Sequence, residues 1–282
     1  MKKRRIIIIC SIVAVLIILI GTVSALFNLR EISVEILKNP EIIESTYGDN
    51  VFDGIEESGE FNYGSNTLFT SYESNKDKIE KAYPFVKVEK MVRRFPNKMT
   101  IYISGRLPEV IVSDSDNSSK WYVLDYEMKV LDVLESSSEI GTELYRTLPI
   151  VSGAGMTGLD QGDIAMGQNS ASVLVGVLDG IYGEHQAPSS VMSDITIDFS
   201  TQMVSIVLRD RDYDTGAKIT TYGFSNLKEK VFAAYHLYSN FFDEEDPSYP
   251  DKSGFDFRVG EDFVVGTNER VTVYYNDQIY NG

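Results

Sequence analysis

The chain has 282 residues and a mass of 31.7 kDa, which is enough sequence for about two domains. Hydrophobic residues make up 43% of it and charged residues 24%, so the composition excludes a wholly disordered chain and a membrane protein with many spans. The net charge is −16 at pH 7, and four of the 26 basic residues stand at positions 2–5. Because the rest of the chain is even more acidic, it would repel a phosphate backbone, and we expect no nucleic-acid partner.

The N-terminal residues predict where the protein is located. A basic tail at residues 1–5 is followed by Ile6–Phe27, a stretch without a single charge. As a helix this stretch would be about 33 Å long, and the hydrocarbon core of a bilayer is about 30 Å thick. We therefore expect a transmembrane helix over residues 6–28, in a single-pass protein of the cell membrane whose N-terminus is cytoplasmic and whose domains lie outside.

A cleaved signal peptide is the alternative for the same segment, because Val23-Ser24-Ala25 fits the small-residue pattern of a cleavage site. The apolar stretch is longer than the roughly 7–15 residues of a usual signal-peptide core, which favours an uncleaved anchor. The only cysteine, Cys10, lies in this stretch, so the chain cannot form an internal disulfide.

Residues 29–107 have the pattern of a small α+β domain. Alternating apolar residues at Ile32–Ile36 predict a strand, and two helices are expected, near Asn50–Ser58 and from Ser74 to about Ala82. A hairpin follows, with strands over Phe85–Arg94 and Met99–Ile103. The predicted order is β-α-α-β-β.

Residues 108–275 predict a second, mostly antiparallel β domain with two helices. The helices are expected over Ser172–Tyr182 and after Ser225, where apolar residues recur at helical spacing. The expected strands are Val110–Val112, Trp121–Leu124, Val130–Val133, Ile195–Phe199, Met203–Leu208, Ala217–Tyr222, Phe255–Val259, Phe263–Gly266 and Arg270–Tyr275. Residues 276–282 are expected to be a C-terminal tail.

Motifs that would indicate catalysis lack the context they need. Gly153–Gly158 matches a dinucleotide-binding spacing, but Gly162 and Gly167 interrupt the helix that would have to follow it. The two histidines, His185 and His236, have no partner residues at catalytic spacing. A carboxylate pair for glycoside hydrolysis stays open, because 42 acidic residues always supply candidate pairs. We expect no catalytic residue, no cofactor, no metal site and no small-molecule substrate.

The stretch Lys81–Ile103, followed by Arg106-Leu107-Pro108, resembles the bacterial cell-division family FtsQ/DivIB. In that family a Pro-x-Val segment leads into a basic strand, a proline turn, a second strand and Glu-Arg-x-Pro. Gly105 stands where the family usually has the glutamate. Further matching segments, in the family's order, are Val123-Leu124-Asp125, Leu148-Pro149, Gly223–Lys230 and Phe255-Asp256-Phe257-Arg258.

The resemblance implies a POTRA domain over residues 29–107 and the family's β domain over 108–275. It also implies a non-enzymatic scaffold of the divisome, enriched at the division septum, that helps control septal peptidoglycan synthesis. The implied partners are bitopic division proteins of the FtsB/DivIC and FtsL type, together with components of the septal synthase. A membrane-anchored or secreted cell-wall-active enzyme and a POTRA-bearing secretion or assembly factor are the alternative functions.

The family's partner docks by adding a strand beside the last strand of the β domain. In this chain the resemblance maps that site to Val259, Phe263, Val264, Val265, Gly266 and Thr267. If Arg270–Tyr275 forms a further strand that covers this edge, the docking strand shifts to it. A second contact is expected on the first domain, where a basic strand on an acidic protein would create a distinct local field, at Lys87, Lys90, Arg93 and Arg94.

Overall fold

The computed structural model describes residues 12–19, 21–22, 26–48, 51–65, 72–183, 187–210, 213–240, 256–259, 272–275 and 278–281. The chain divides into two compact units, Met1–Arg106 and Leu107–Gly282.

The first unit is built on a three-stranded sheet in the order β1-β3-β2. Its strands are β1 (Glu31–Lys38), β2 (Val86–Arg94) and β3 (Lys98–Gly105), and its helices are α1 (Pro40–Tyr47), α2 (Val51–Ser58) and α3 (Glu73–Ala82). The central strand β3 pairs parallel to β1 and antiparallel to β2. Seven of its eight residues are buried, because it has neighbours on both sides and the helices pack on the sheet.

The core of this unit takes one isoleucine from each helix. Ile43, Ile55 and Ile79 are fully buried and belong to one apolar cluster with Ile101 and Ile103 of β3. Burying a side chain of this size stabilises a fold by about 1.5–3 kcal/mol, so these contacts hold the three helices on the sheet.

The predicted order of this unit is wrong by one helix. The predicted order places no helix around Pro40, but α1 begins there, so the observed order is β-α-α-α-β-β. Proline is favoured in the first turn of a helix because its fixed backbone angle suits that position and its missing N–H would have had no partner there. The buried Ile43 then anchors the short helix to the core.

The second unit contains a ten-stranded sheet in the order β13-β12-β11-β10-β9-β8-β7-β4-β5-β6. Its strands are β4 (Pro108–Ser113), β5 (Trp121–Asp125), β6 (Val130–Leu134), β7 (Ile150–Ser152), β8 (Met192–Asp198), β9 (Met203–Asp210), β10 (Tyr213–Tyr222), β11 (Asp256–Val259), β12 (Thr272–Tyr275) and β13 (Gln278–Asn281). Its helices are α4 (Ser137–Ile140), α5 (Ala171–Tyr182), α6 (Pro188–Val191) and α7 (Leu227–Asn240), with a 3-10 helix at Ala165–Gly167.

The two long helices, α5 and α7, pack closely against each other. A Cβ atom at Gly180 of α5 would lie 2.6 Å from the Cβ of Val231 and 2.8 Å from the carbonyl oxygen of Lys228. Only glycine therefore fits at this crossing. Both helices contribute to one core with the sheet, in which Leu174, Leu178 and Val231 are buried.

The prediction of a mostly antiparallel domain with two helices needs correction in two respects: six of the nine described strand pairings are antiparallel, but three are parallel, and the helices number more than two. The sheet is mixed, because β7 pairs parallel to both β4 and β8, and β10 pairs parallel to β11. The single-turn helices α4 and α6 add to the two expected ones. The short strand β7 has only three residues, too few to show an alternating pattern, so its parallel partners were not visible in the sequence.

The predicted transmembrane helix over residues 6–28 is contradicted by the structure. Within the described part of the chain, no helix is both long enough and apolar enough to cross a membrane.

A fully buried lysine closes the junction between β10 and α7. Lys230 is 0% exposed, and its ammonium donates to the carbonyl oxygens of Tyr222 at 2.5 Å and of Gly223 at 3.1 Å. The N–H of Gly223, whose φ of 74° suits glycine, donates to the carbonyl of Gln202 at 2.8 Å. The lysine therefore supplies hydrogen bonds to backbone carbonyls at the end of the strand.

We predict that Lys230→Met lowers the free energy of unfolding by about 1–3 kcal/mol, because two partly buried carbonyl oxygens lose their charged donor. The matched control is Lys228→Met, in the same helix, where the side chain is 56% exposed and the expected change is within about 0.5 kcal/mol. Chemical denaturation of the three proteins measures both values. Equal unfolding midpoints for the two variants would contradict the assigned role of Lys230.

Candidate functional site

One end of the large sheet is formed by the three C-terminal strands, which lie side by side in the order of the chain. Strand β11 pairs parallel to β10, β12 pairs antiparallel to β11, and β13 pairs antiparallel to β12. The expected strand over Arg270–Tyr275 is therefore present as β12 and lies beside β11. Among the described strands the outermost is β13. It lies within residues 276–282, for which the sequence predicts a C-terminal tail.

The residues predicted for docking at this end fall into two groups. Val259 is the last residue of β11, is 0% exposed, and has Thr221 on one side and Val273 on the other. Since both of its neighbouring positions are filled, it belongs to the core of the sheet. The other predicted residues, Phe263, Val264, Val265, Gly266 and Thr267, lie outside the described residues.

The first unit also has an edge strand of interest, β2, which among the described strands pairs only with β3. Edge strands carry backbone groups that need partners. Near its start, the N–H of Val88 donates to Oε1 of Glu80 at 2.9 Å. A side chain of α3 therefore occupies the position that a neighbouring strand would otherwise take.

Glu80 is held in place by a buried ion pair with Arg106. The guanidinium of Arg106 donates to Oε2 of Glu80 at 2.9 Å, and each residue is only 7% exposed. Lys76 lies 3.7 Å from the other carboxylate oxygen. Arg106 is the arginine of the Arg-Leu-Pro motif, so that motif links the end of β3 to the edge of β2 through α3.

Gly105, just before this arginine, makes a close backbone contact. A Cβ atom there would lie 2.4 Å from the carbonyl oxygen of Asn39 and 3.2 Å from the Cβ of Ile42. The amide side chain of Asn39 also donates to the Gly105 carbonyl at 2.9 Å. A glutamate at this position would displace the segment that leads into α1.

Beyond Val88, β2 contains a bulge and lines a cleft. The pairing with β3 shifts by one residue between Val88 and Lys90, which is a β-bulge. From there a cleft of about 320 Å³ lies between the start of α3 and β2. Its lining residues are Tyr72, Glu73, Lys76, Val88, Glu89, Lys90, Met91 and Arg93.

The structure brings two of the four predicted recruitment residues into this cleft. Lys90 and Arg93 line it, whereas Lys87 and Arg94 are not among its lining residues. The ammonium of Lys90 lies 4.6 Å from the centre of the Tyr102 ring, and Arg93 lies 5.5 Å from the centre of the Tyr72 ring. Arg94 donates to the Tyr102 hydroxyl at 2.5 Å. Aromatic rings therefore support the cations beside the cleft.

The side chains that line the cleft carry more positive than negative charges, whereas the chain as a whole is acidic. Three cations, Lys76, Lys90 and Arg93, face two acids, Glu73 and Glu89, in a protein whose net charge is −16. Sequence reasoning found the basic strand but missed Tyr72 and Glu80, because nothing in the local pattern shows which helix packs beside β2.

No protein-family model matches the sequence, and no curated protein matches it either. The resemblance to FtsQ/DivIB therefore stays a prediction that rests on the quoted motifs.

We predict that Glu80→Gln lowers the free energy of unfolding of the protein by about 3 kcal/mol, because the buried Arg106 loses its counter-charge. The control is Glu73→Gln, in the same helix but on an exposed side chain, with an expected change within about 0.5 kcal/mol. Urea titration followed by circular dichroism measures both. If the two variants unfold at the same urea concentration, the ion pair does not hold this edge.

Proposed function

We propose that this protein is a non-enzymatic scaffold that binds other proteins of the bacterial division apparatus and helps control septal peptidoglycan synthesis. Its partners are division proteins of the FtsB/DivIC and FtsL type, joined by components of the septal synthase. The protein acts by holding these chains, and it makes and breaks no bonds itself.

One observation carries this proposal: the large sheet ends, among the described strands, at β13, which pairs on one side with β12. A strand of this kind can accept another extended chain, which then gains main-chain hydrogen bonds along its length. The FtsQ/DivIB family is expected to bind its partner in this way, so the motifs and the edge point to the same activity. With β12 beside β11, the docking strand moves outward to β13.

The cleft beside β2 supports a second contact. It combines an edge strand, a bulge that follows the Val88 hydrogen bond to Glu80, and cations supported by tyrosines. An extended segment with acidic side chains fits both features, because the strand supplies main-chain hydrogen bonds and the cations supply charge complementarity.

The test is affinity capture of the full-length protein from cells that make it, followed by identification of the co-purifying proteins and by imaging of its position. The proposal predicts that septum-associated proteins co-purify and that the protein concentrates at mid-cell during division. Recovery of no division protein, together with an even distribution around the cell, would contradict it. Release of wall fragments by the purified protein would favour the enzyme alternative.

The role of β13 is tested with two neighbouring proline variants, Ile279→Pro and Tyr280→Pro. Successive residues of an edge strand point their N–H groups alternately inward and outward, so one variant loses a bond to β12 and the other loses an outward donor. We predict that the variant with unchanged thermal stability binds the captured partner about tenfold more weakly, or about 1.4 kcal/mol.

Two further variants, Phe263→Asp and Val265→Asp, separate the two possible docking strands. Weaker capture by these variants, with both proline variants binding normally, would move the docking strand to residues 263–267. Normal capture by all four variants would contradict docking at this end of the sheet.

The role of the cleft is tested by reversing its charge with Lys90→Glu and Arg93→Glu. We predict that the double variant loses a partner that the wild-type protein captures, and that capture by the wild type weakens as salt rises, because the contact depends on exposed charges. The control is Lys87→Glu, on the same strand but outside the lining of the cleft. An equal loss in the control would show that net charge, rather than the cleft, determines binding.

A further inference from the structure

A group of exposed aromatic rings lies beside two carboxylates in the second unit. We call it the tyrosine–carboxylate patch and define it by Glu109, Tyr126, Asp179, Tyr182, Lys228 and Phe232. The rings of Tyr126 and Tyr182 are 5.4 Å apart and meet edge to face at 86°. Tyr126 is 41% exposed and Tyr182 is 36% exposed.

Each of the two tyrosines donates its hydroxyl hydrogen to a carboxylate. Tyr126 donates to Asp179 and Tyr182 donates to Glu109. The hydrogen bond to Asp179 and burial raise the pKa of Tyr126 to about 12, so the phenol stays neutral at physiological pH. Burial raises the pKa of Glu109, whose residue is only 7% exposed. The rings are therefore fixed in position while much of their surface remains open.

A third exposed ring lies on α7, where Phe232 stacks with His236 at 5.9 Å between ring centres. Phe232 is 38% exposed and packs on the backbone of Gly183, the residue after Tyr182; a Cβ atom at Gly183 would lie 2.6 Å from its Cδ2. Exposed single apolar side chains are ordinary, but two exposed rings in edge-to-face contact, each held by a hydrogen bond to a carboxylate, are typical of a binding surface.

The chain already places a cation at this surface. The ammonium of Lys228 lies 3.6 Å from Oδ2 of Asp179, and its side chain is 56% exposed. An exposed pair of this length contributes little to stability. It shows that an amine can reach the carboxylate from solvent, beside the ring that donates to it.

We infer that the tyrosine–carboxylate patch binds a lysine- or arginine-bearing segment of a partner protein. The ammonium or guanidinium of that segment lies against the faces of Tyr126 and Tyr182 and pairs with Asp179 in place of Lys228. Charge complementarity selects this occupant: nucleic acids and anionic lipid surfaces are repelled by a chain of net charge −16, whereas a basic segment is attracted. The inference is independent of strand addition, so either can fail alone.

The experiment titrates a fluorescein-labelled peptide of alternating lysine and alanine with the full-length protein and follows fluorescence anisotropy. We expect Tyr126→Ala and Asp179→Asn each to raise the dissociation constant about fivefold or more, because a cation–π contact or a charge pair is lost. Tyr63→Ala removes a 47% exposed tyrosine of the first unit, and it should leave the dissociation constant within about twofold.

A second pair of variants separates the patch from simple attraction between opposite charges. Removing the competing internal cation with Lys228→Ala should tighten binding of the peptide. Lys98→Ala makes the same change in net charge at a lysine that is 51% exposed and pairs with Glu31 at 2.6 Å. It should leave binding nearly unchanged. Equal affinities for Lys228→Ala and Lys98→Ala, or for Tyr126→Ala and Tyr63→Ala, would overturn the inference.

Discussion

A backbone N–H or C=O group that is neither paired nor solvated costs free energy, and the edge of a sheet presents a row of such groups. The two sheets of this chain meet that constraint in different ways. In the first unit, Glu80 accepts the hydrogen bond of Val88 and so closes the start of β2 from within. In the second unit, β12 and β13 are added beyond β11, which moves the edge outward. The proposed function depends on the edge of β13 in the large sheet and on the cleft beside β2 in the small one.

The internal closure of β2 depends on a buried charge pair. Glu80 reaches Val88 because Arg106 holds its second oxygen, and Arg106 is placed by β3, whose last residue must be glycine to pass Asn39. Beyond the bulge the same strand faces a cleft with three cations. A single strand therefore contacts a side chain of its own unit at its start and lines the cleft further along.

Much of the first unit could be read from the sequence, since the alternation of β1 and the proline turn after Arg94 are local signals. The helix at Pro40 was missed because its polar residues hide the single buried Ile43. In the second unit, β7 is too short to show a period, and its parallel neighbours are set by tertiary pairing. Such long-range pairings leave no mark on neighbouring residues.

The candidate sites differ in the same way, because some of their residues are close in sequence and others are brought together only by the fold. The basic strand was visible because its residues are adjacent in sequence, and Lys90 and Arg93 do reach one cleft. Glu80 and Arg106 are 26 residues apart, and Tyr126 and Asp179 are 53 apart, so only the fold brings these groups together. The resemblance to FtsQ/DivIB maps Val259 to a docking edge, but β11 has neighbours on both sides and the residue is buried, which no local pattern shows.

The central claim is that a partner adds a strand to the open end of the large sheet. Hydrogen–deuterium exchange of the backbone amides, measured with and without the captured partner, tests it most directly. The account predicts that binding slows exchange at Gln278–Asn281 and leaves the amides of β3 unchanged. Partner binding that leaves exchange at Gln278–Asn281 unaltered, while protecting a different surface, would contradict it.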